Sequence, residues 1–220
     1  MKRHTNPRAC LCYAAACFFA MTLAIVAEED PGAVEFAANC VACHTATGHG
    51  NVAVKAPSIA GLSSWYVAYQ LRRFRDGIRG THVKDESGKL MRHVAGLLNE
   101  DQIVALARHV SLLPVNPKRK TLEGGSPARG KQLFRETCMP CHRFDASGEK
   151  VFRSAPLTSQ QDWYLLAQLE KFKQHQRGIA KGDDLGPKMH EVSGELDLKT
   201  DALDIVAYIT SLPVRVDTRR

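Results

Sequence analysis

The sequence predicts an all-α protein built as two similar domains in tandem, and three observations carry that prediction. The chain of 220 residues matches itself when shifted by 98. Its apolar residues, 44% of the total, fall in stripes at helical spacing, and the Val/Ile/Thr alternation that strands need is scarce. Matching segments in the two halves open on an N-cap followed by proline, Asp30-Pro31 and Ser126-Pro127.

The repeat is dense. Gly32 falls on Gly130, Phe36 on Phe134, Cys40 on Cys138, Cys43 on Cys141 and His44 on His142. Further along, Trp65-Tyr66 falls on Trp163-Tyr164, Gln70-Leu71 on Gln168-Leu169, Phe74 on Phe172, Arg79-Gly80 on Arg177-Gly178 and Met91 on Met189. After a one-residue slip, Leu113-Pro114 meets Leu212-Pro213. A duplicated domain explains such agreement. The expected boundaries are a leader at 1–27, a first domain at 28–117, a linker at 118–125 and a second domain at 126–220; the linker holds Lys118-Arg119-Lys120 and Gly124-Gly125.

Each half reads as three main helices joined by long loops. The first runs into a cysteine pair. The second spans Ser64 to Asp76, apolar at Trp65, Ala68, Tyr69 and Phe74, and stops at Gly77. Asn99 and Gln102 form a capping-box pattern for the last helix, Glu100 to Leu112, with Ile103, Leu106, Ala107 and Val110 on one face. Leu203, Val206, Ala207 and Ile209 are expected to repeat that face. Residues 45–63 and the stretch around Met91 read as loops. Gly32 with Phe36, and Gly130 with Phe134, are expected to let the first helix cross closely over the last, against His109 and Tyr208.

Lys2, Arg3 and Arg8 precede an uncharged run from Ala9 to Ala27, and acids begin at Glu28. This is the pattern of a secretory leader cut after Ala27, which places the remainder in the periplasm. Retained, the run is long enough to anchor the protein in the membrane by its N-terminus. Without the leader, 27 Lys and Arg face 23 Asp and Glu, interspersed and without a basic stripe, which excludes nucleic-acid binding.

Of seven cysteines, Cys10, Cys12 and Cys17 lie in the leader. The other four make two C-x-x-C pairs, each followed at once by histidine: Cys40-Val41-Ala42-Cys43-His44 and Cys138-Met139-Pro140-Cys141-His142. Thiols one helical turn apart can bond the two vinyl groups of a porphyrin, while the adjacent imidazole reaches the iron from one side. The pattern therefore implies two covalently bound haems c, with His44 and His142 as proximal ligands. Zinc knuckles give no reason for a histidine after both pairs. A dithiol redox site would call for a βαβ setting, which is absent.

The far side of each iron decides between electron transfer and small-molecule chemistry. Met1 and Met21 lie in the leader, and Met139 sits inside its own attachment motif. Met91 and Met189 remain, each 47 residues after its histidine. They keep register, whereas His49, His82, His93, His109, His175 and His190 have no counterpart at the same shift. Met91 and Met189 are the expected distal ligands, and His/Met ligation favours a high potential. Pro57 and Pro156, each in an Ala-Pro pair, are the candidates to present a carbonyl to the proximal ring.

With both attachment motifs, the Gln-Leu-x-x-Phe helix, the two methionines and a terminal helix ending in Leu-Pro, the chain resembles the dihaem class I cytochromes of the c4 type. That resemblance implies two tandem cytochrome c domains and an electron-transfer protein rather than an enzyme. Its partners would be redox proteins, from a donor complex or dehydrogenase to a terminal oxidase. Two other functions stand beside it. One is a cytochrome subunit held in a periplasmic dehydrogenase complex. The other is a two-haem peroxidase, against which the paired methionines argue.

Overall fold

The computed structural model describes residues 29–214; the expected leader at 1–27 lies outside them. The first half contains α1 (Pro31–Asn39), α2 (Val41–His44), α3 (Ser64–Arg75), α4 (Glu86–Gly96) and α5 (Glu100–Leu112). The second contains α6 (Pro127–Leu133), α7 (Met139–His142), α8 (Asp162–Lys173), α9 (Gly186–Glu195) and α10 (Asp201–Ser211). A wide π turn at Phe134–Cys138 joins α6 to α7. Among the described residues there is no strand. Two isolated bridges, Asn51 with Ala56 and Glu149 with Ser154, close the same loop in each half.

The helix ends follow from their sequences. Asp30 accepts the Gly32 N–H at 3.0 Å, and Ser126 that of Arg129 at 3.4 Å. At α5, Asn99 and Gln102 bond each other's backbone N–H, the expected capping box. Helix α3 gives way to Gly77 at φ +70°.

In each half the first helix crosses the last at a glycine. A Cβ at Gly32 would stand 2.3 Å from the Ala105 carbonyl oxygen, and one at Gly130 would stand 1.8 Å from that of Asp204. Beside these crossings Phe36 packs on His109 at 5.2 Å between ring centroids, and Phe134 on Tyr208 at 5.5 Å. The two cores are small. One gathers Phe36, Leu62, Tyr66, Ile103, Leu106 and Val110; the other Phe134, Leu165, Leu196, Ile205, Val206 and Ile209.

Two expectations need correction. The stretch around Met91 is a helix, α4, as is its counterpart α9. Two glycines in each hide the helical pattern, and the N-cap of α4 is Asp85, bonded to the Gly88 N–H at 3.0 Å. On α10, Val206, Ala207 and Ile209 are buried as expected, but Leu203 is only half-buried and Ala202 and Ile205 complete the face. One extra residue precedes α10, so its face matches that of α5 at a shift of 99.

The halves meet through reciprocal contacts. Arg79 donates to the Tyr164 hydroxyl at 2.9 Å and to Gln168 at 3.2 Å. Arg177 in turn bonds Tyr66. Arg73 pairs with Asp183 at 2.5 Å, and Lys171 with Asp85 at 2.5 Å. Each pair becomes the other when the halves are exchanged at the shift of 98, so the interface has pseudo-twofold symmetry. The segment between the halves is strapped onto the second. Arg119 donates to the Leu212 carbonyl at 3.0 Å, and the Asp162 carboxylate accepts from Thr121 and from the Leu122 N–H at 2.6 Å.

Gly130→Ala should destabilise the protein by about 1–3 kcal/mol, because the added methyl has no space at the crossing. Gly194→Ala, with nothing within 4 Å of its Cβ, should be neutral or stabilising by up to ~1 kcal/mol. Urea denaturation of the haem-loaded variants measures both.

Candidate cofactor sites

Each attachment motif lies on a one-turn helix, α2 or α7, which ends at its histidine. The helical turn sets the two sulfurs of a motif one turn apart, with no disulfide between them. The following residues, Thr45 and Arg143, take φ +66° with ψ 162° and φ +69° with ψ 162°. This region is strained for any residue but glycine, at about 1–3 kcal/mol each. The turn it makes returns the Gly50 N–H to the His44 carbonyl at 3.0 Å, and that of Gly148 to the His142 carbonyl at 3.2 Å.

The loop then delivers one carbonyl to each ring. His44 Nδ1 donates to the Pro57 carbonyl at 2.8 Å, and His142 Nδ1 donates to the Ala155 carbonyl at 3.0 Å. The second carbonyl is thus Ala155's, not Pro156's. In both halves the acceptor lies 13 residues past the histidine, whereas the Ala-Pro pair of the second loop is displaced by one. Burial pushes both imidazoles below the ordinary histidine value, against the pull of the carbonyl bond. They are neutral at pH 7. With Nδ1–H committed, the Nε2 lone pair of each ring is free to bind a metal.

The cysteines are unsuited to dithiol chemistry. Burial, assisted by Glu35 and Cys43, pushes the Cys40 thiol up to about 11, and burial raises Cys138 as well. A redox-active thiol needs the opposite shift. Among the described residues no three His, Cys, Asp or Glu side chains gather as a metal site, so the two pairs are not one four-thiolate zinc centre.

Met91 lies on the inward stripe of α4 with Gly88 and Ala95, and Met189 on that of α9 with Gly186 and Ser193. Both methionines are half-buried. The unmatched histidines are engaged elsewhere or face out. His49 bonds the Pro114 carbonyl, His109 bonds Asp30, and His93 is exposed. His190 donates Nδ1–H to the Phe172 carbonyl at 2.8 Å and lies tilted against the His175 ring.

A haem fits this chemistry. Arg79 and Arg177 are held over Phe74 and Phe172, 4.4 and 4.6 Å from the ring centroids. Their hydrogen-bond partners are neutral: Gln70, Tyr164 and Gln168 for Arg79, Gln168 and Tyr66 for Arg177. Arg79 Nε and Trp163 Nε1 are buried without a partner. Cations hydrogen-bonded only to neutral groups and donors short of an acceptor suit a group bearing carboxylates, as the haem propionates are. Sequence reasoning placed these arginines without their cross-half partners and missed Asp85 and Asp183. The spacing Asp-x-x-Gly, present as Asp85-Gly88 and again as Asp183-Gly186, is the signal that marks both.

The cytochrome c family model matches residues 30–113 and again 127–213. The thiosulfate dehydrogenase electron acceptor of Thiomonas intermedia (strain K12) is 35% identical over 178 residues, 76% of this chain and 76% of that protein. Among solved structures, thiosulfate dehydrogenase (TsdBA) from Marichromatium purpuratum aligns with a TM-score of 0.66 and 28% identity. That alignment takes in 86% of this chain but spans only 41% of the other. Cytochrome c4 from Acidithiobacillus ferrooxidans aligns with a TM-score of 0.65 and 24% identity over 80% of this chain and 99% of the other, a likeness of fold.

Mass spectrometry of the denatured chain should find two porphyrins per polypeptide. Replacing Cys40 and Cys43 together with alanine should leave one, since thioether bonds survive unfolding and iron–histidine bonds do not.

Proposed function

Because the chain belongs to the cytochrome c family in two successive copies, with two covalently bound haems c, we propose that it takes single electrons from a periplasmic dehydrogenase acting on a sulfur compound and passes them toward a terminal oxidase. Electron transfer of the cytochrome c4 kind is its activity. The donor, the acceptor and the compartment are the proposal. The donor rests on the 35% identity to a thiosulfate dehydrogenase electron acceptor, over 76% of both proteins. The compartment rests on the leader-like pattern at 1–27.

The site reading is supported by the recurrence, in each half, of a carbonyl-fixed imidazole and of a methionine on the inward stripe of its helix. Cys40 and Cys43 hold one porphyrin, Cys138 and Cys141 the other. His44 and Met91 would hold the first iron, His142 and Met189 the second. Each bound haem supplies a one-electron couple. The protein fixes its potential and its access. The neutral imidazole is oriented before binding by Pro57 or Ala155, so ligand geometry changes little with oxidation state. The thioether, a soft and weak donor, favours ferrous iron and raises the potential relative to a second imidazole. A chain that supplies a ligand on each side of the iron would leave no position for a substrate, which is why we place this protein among carriers rather than peroxidases. The interface through Arg79, Tyr164, Tyr66 and Arg177 sets the two haem domains against each other for internal exchange.

A second reading, a cytochrome held as part of a dehydrogenase complex, is favoured by the alignment to thiosulfate dehydrogenase over 86% of this chain. Stable co-purification with such an enzyme would separate the two.

Oxidised protein mixed with thiosulfate and a catalytic amount of thiosulfate dehydrogenase should become reduced at both haems, and without the enzyme it should remain oxidised. Persistent oxidation in the complete mixture would rule out this donor. Met91→Ala and Met189→Ala should each open one haem to carbon monoxide and abolish half of the weak red charge-transfer band of thioether-bound ferric haem. Unaltered spectra would remove the assigned ligands.

A further inference from the structure

We propose that each half positions the methionine helix of the other, through the ion pairs Lys171–Asp85 and Arg73–Asp183. This rests on the assignment of Met91 and Met189 as axial ligands and adds the residues that hold them in place.

Asp85 stands at the start of α4, with its carboxylate on the Gly88 N–H at 3.0 Å. Asp183 precedes α9, with its carboxylate on the Gly186 N–H at 2.7 Å. Each lies six residues before its methionine, less than two helical turns. Both are buried, at 2% and 9% exposure. A buried carboxylate requires a counter-charge as well as hydrogen bonds. Among the described residues, the cation within ion-pair distance comes from the opposite half in both cases. Lys171 of α8 reaches Asp85 and also donates to the Ser87 hydroxyl at 2.8 Å. Arg73 of α3 reaches Asp183.

A second strut acts on the same helix turn. Gly80, at φ +78°, is packed so closely on α4 that a Cβ would stand 2.2 Å from the Gly88 carbonyl oxygen; Gly178, at φ +91°, repeats this at 2.7 Å from that of Gly186. The residue before each glycine is Arg79 or Arg177, which bonds a tyrosine of the opposite half. Both supports of the α4 N-terminus therefore end on the second domain, and those of α9 end on the first. The rest of each helix leans on its own core through Ala95 or Ser193. Loss of the cross-half cation leaves a buried charge unpaired, and the first turn moves toward water, carrying the thioether off its inward line.

The test uses the full haem-loaded chain and a remote change. In the reduced protein, NMR gives each iron-bound methionine methyl its own upfield signal, assigned by its loss in Met91→Ala or Met189→Ala. Lys171→Met, in the second domain, should weaken the Met91 signal and raise the affinity of the first haem for imidazole about tenfold, within the usual range of coupling between sites. The second haem should not change. Arg73→Met should do the converse, acting on Met189. Lys171→Arg should restore wild-type behaviour, since arginine already serves at the equivalent position. If Lys171→Met lowers only the overall stability, or perturbs only its own domain's haem, the cross-half positioning is wrong. If Met91→Ala leaves the first haem unchanged, the ligand assignment itself falls and takes this proposal with it.

Discussion

The bond from His44, and from His142, to a carbonyl 13 residues on is the constraint around which both halves are arranged. To make it, the chain must reverse directly after the attachment motif, through a backbone conformation that Thr45 and Arg143 adopt at a cost. It must then run a loop outward and back, pinned by one isolated bridge. In return the ring is buried, neutral and fixed in rotation. The cysteines and the free Nε2 of the ring are then defined relative to the same short helix. The loops are long because they form a wall for a large apolar group, and the cores stay small because that group completes them.

The chemistry was legible in the sequence because it is local. Thiol spacing along one helical turn with an adjacent imidazole needs no tertiary information, and neither do the proline and asparagine caps of α1 and α5. Duplication then doubled every such signal. What escaped was of two kinds. Helices α4 and α9 are poor in apolar residues and carry two glycines each, of which Gly88 and Gly186 let the first turn nearly touch a neighbouring turn; packing overrides propensity there. The carbonyl of Ala155 was missed because the Ala-Pro pair is displaced by one residue in the second loop, and backbone reach follows residue number rather than residue type. A like displacement leaves Leu203 at the edge of the α10 stripe, whose Val206, Ala207 and Ile209 are buried as expected.

The role of the interfacial arginines and acids was the least legible. A sequence shows Arg79 and Arg177, or Asp85 and Asp183, as equivalent positions, but not that each meets its partner in the other copy. Read singly, such residues look like solvated charge. Burial turns them into determinants of register. A buried ion pair adds little net stability, but an unpaired one is costly, so the pairs disfavour any other docking of the halves. The copies have also diverged. Lysine stands in one latch and arginine in the other, and arginine's fixed planar fork holds a carboxylate more rigidly than a flexible ammonium.

The pseudo-twofold interface has a consequence for architecture. An association in which the same patch is used on both sides is isologous, and such contacts close on themselves. Each copy has spent its docking patch on its twin. A third repeat appended to this chain would find no free surface of that kind, and would hang as an independent bead. The fold thus limits tight haem-domain pairing to two per polypeptide, and a longer wire of this design would have to be assembled from separate pairs.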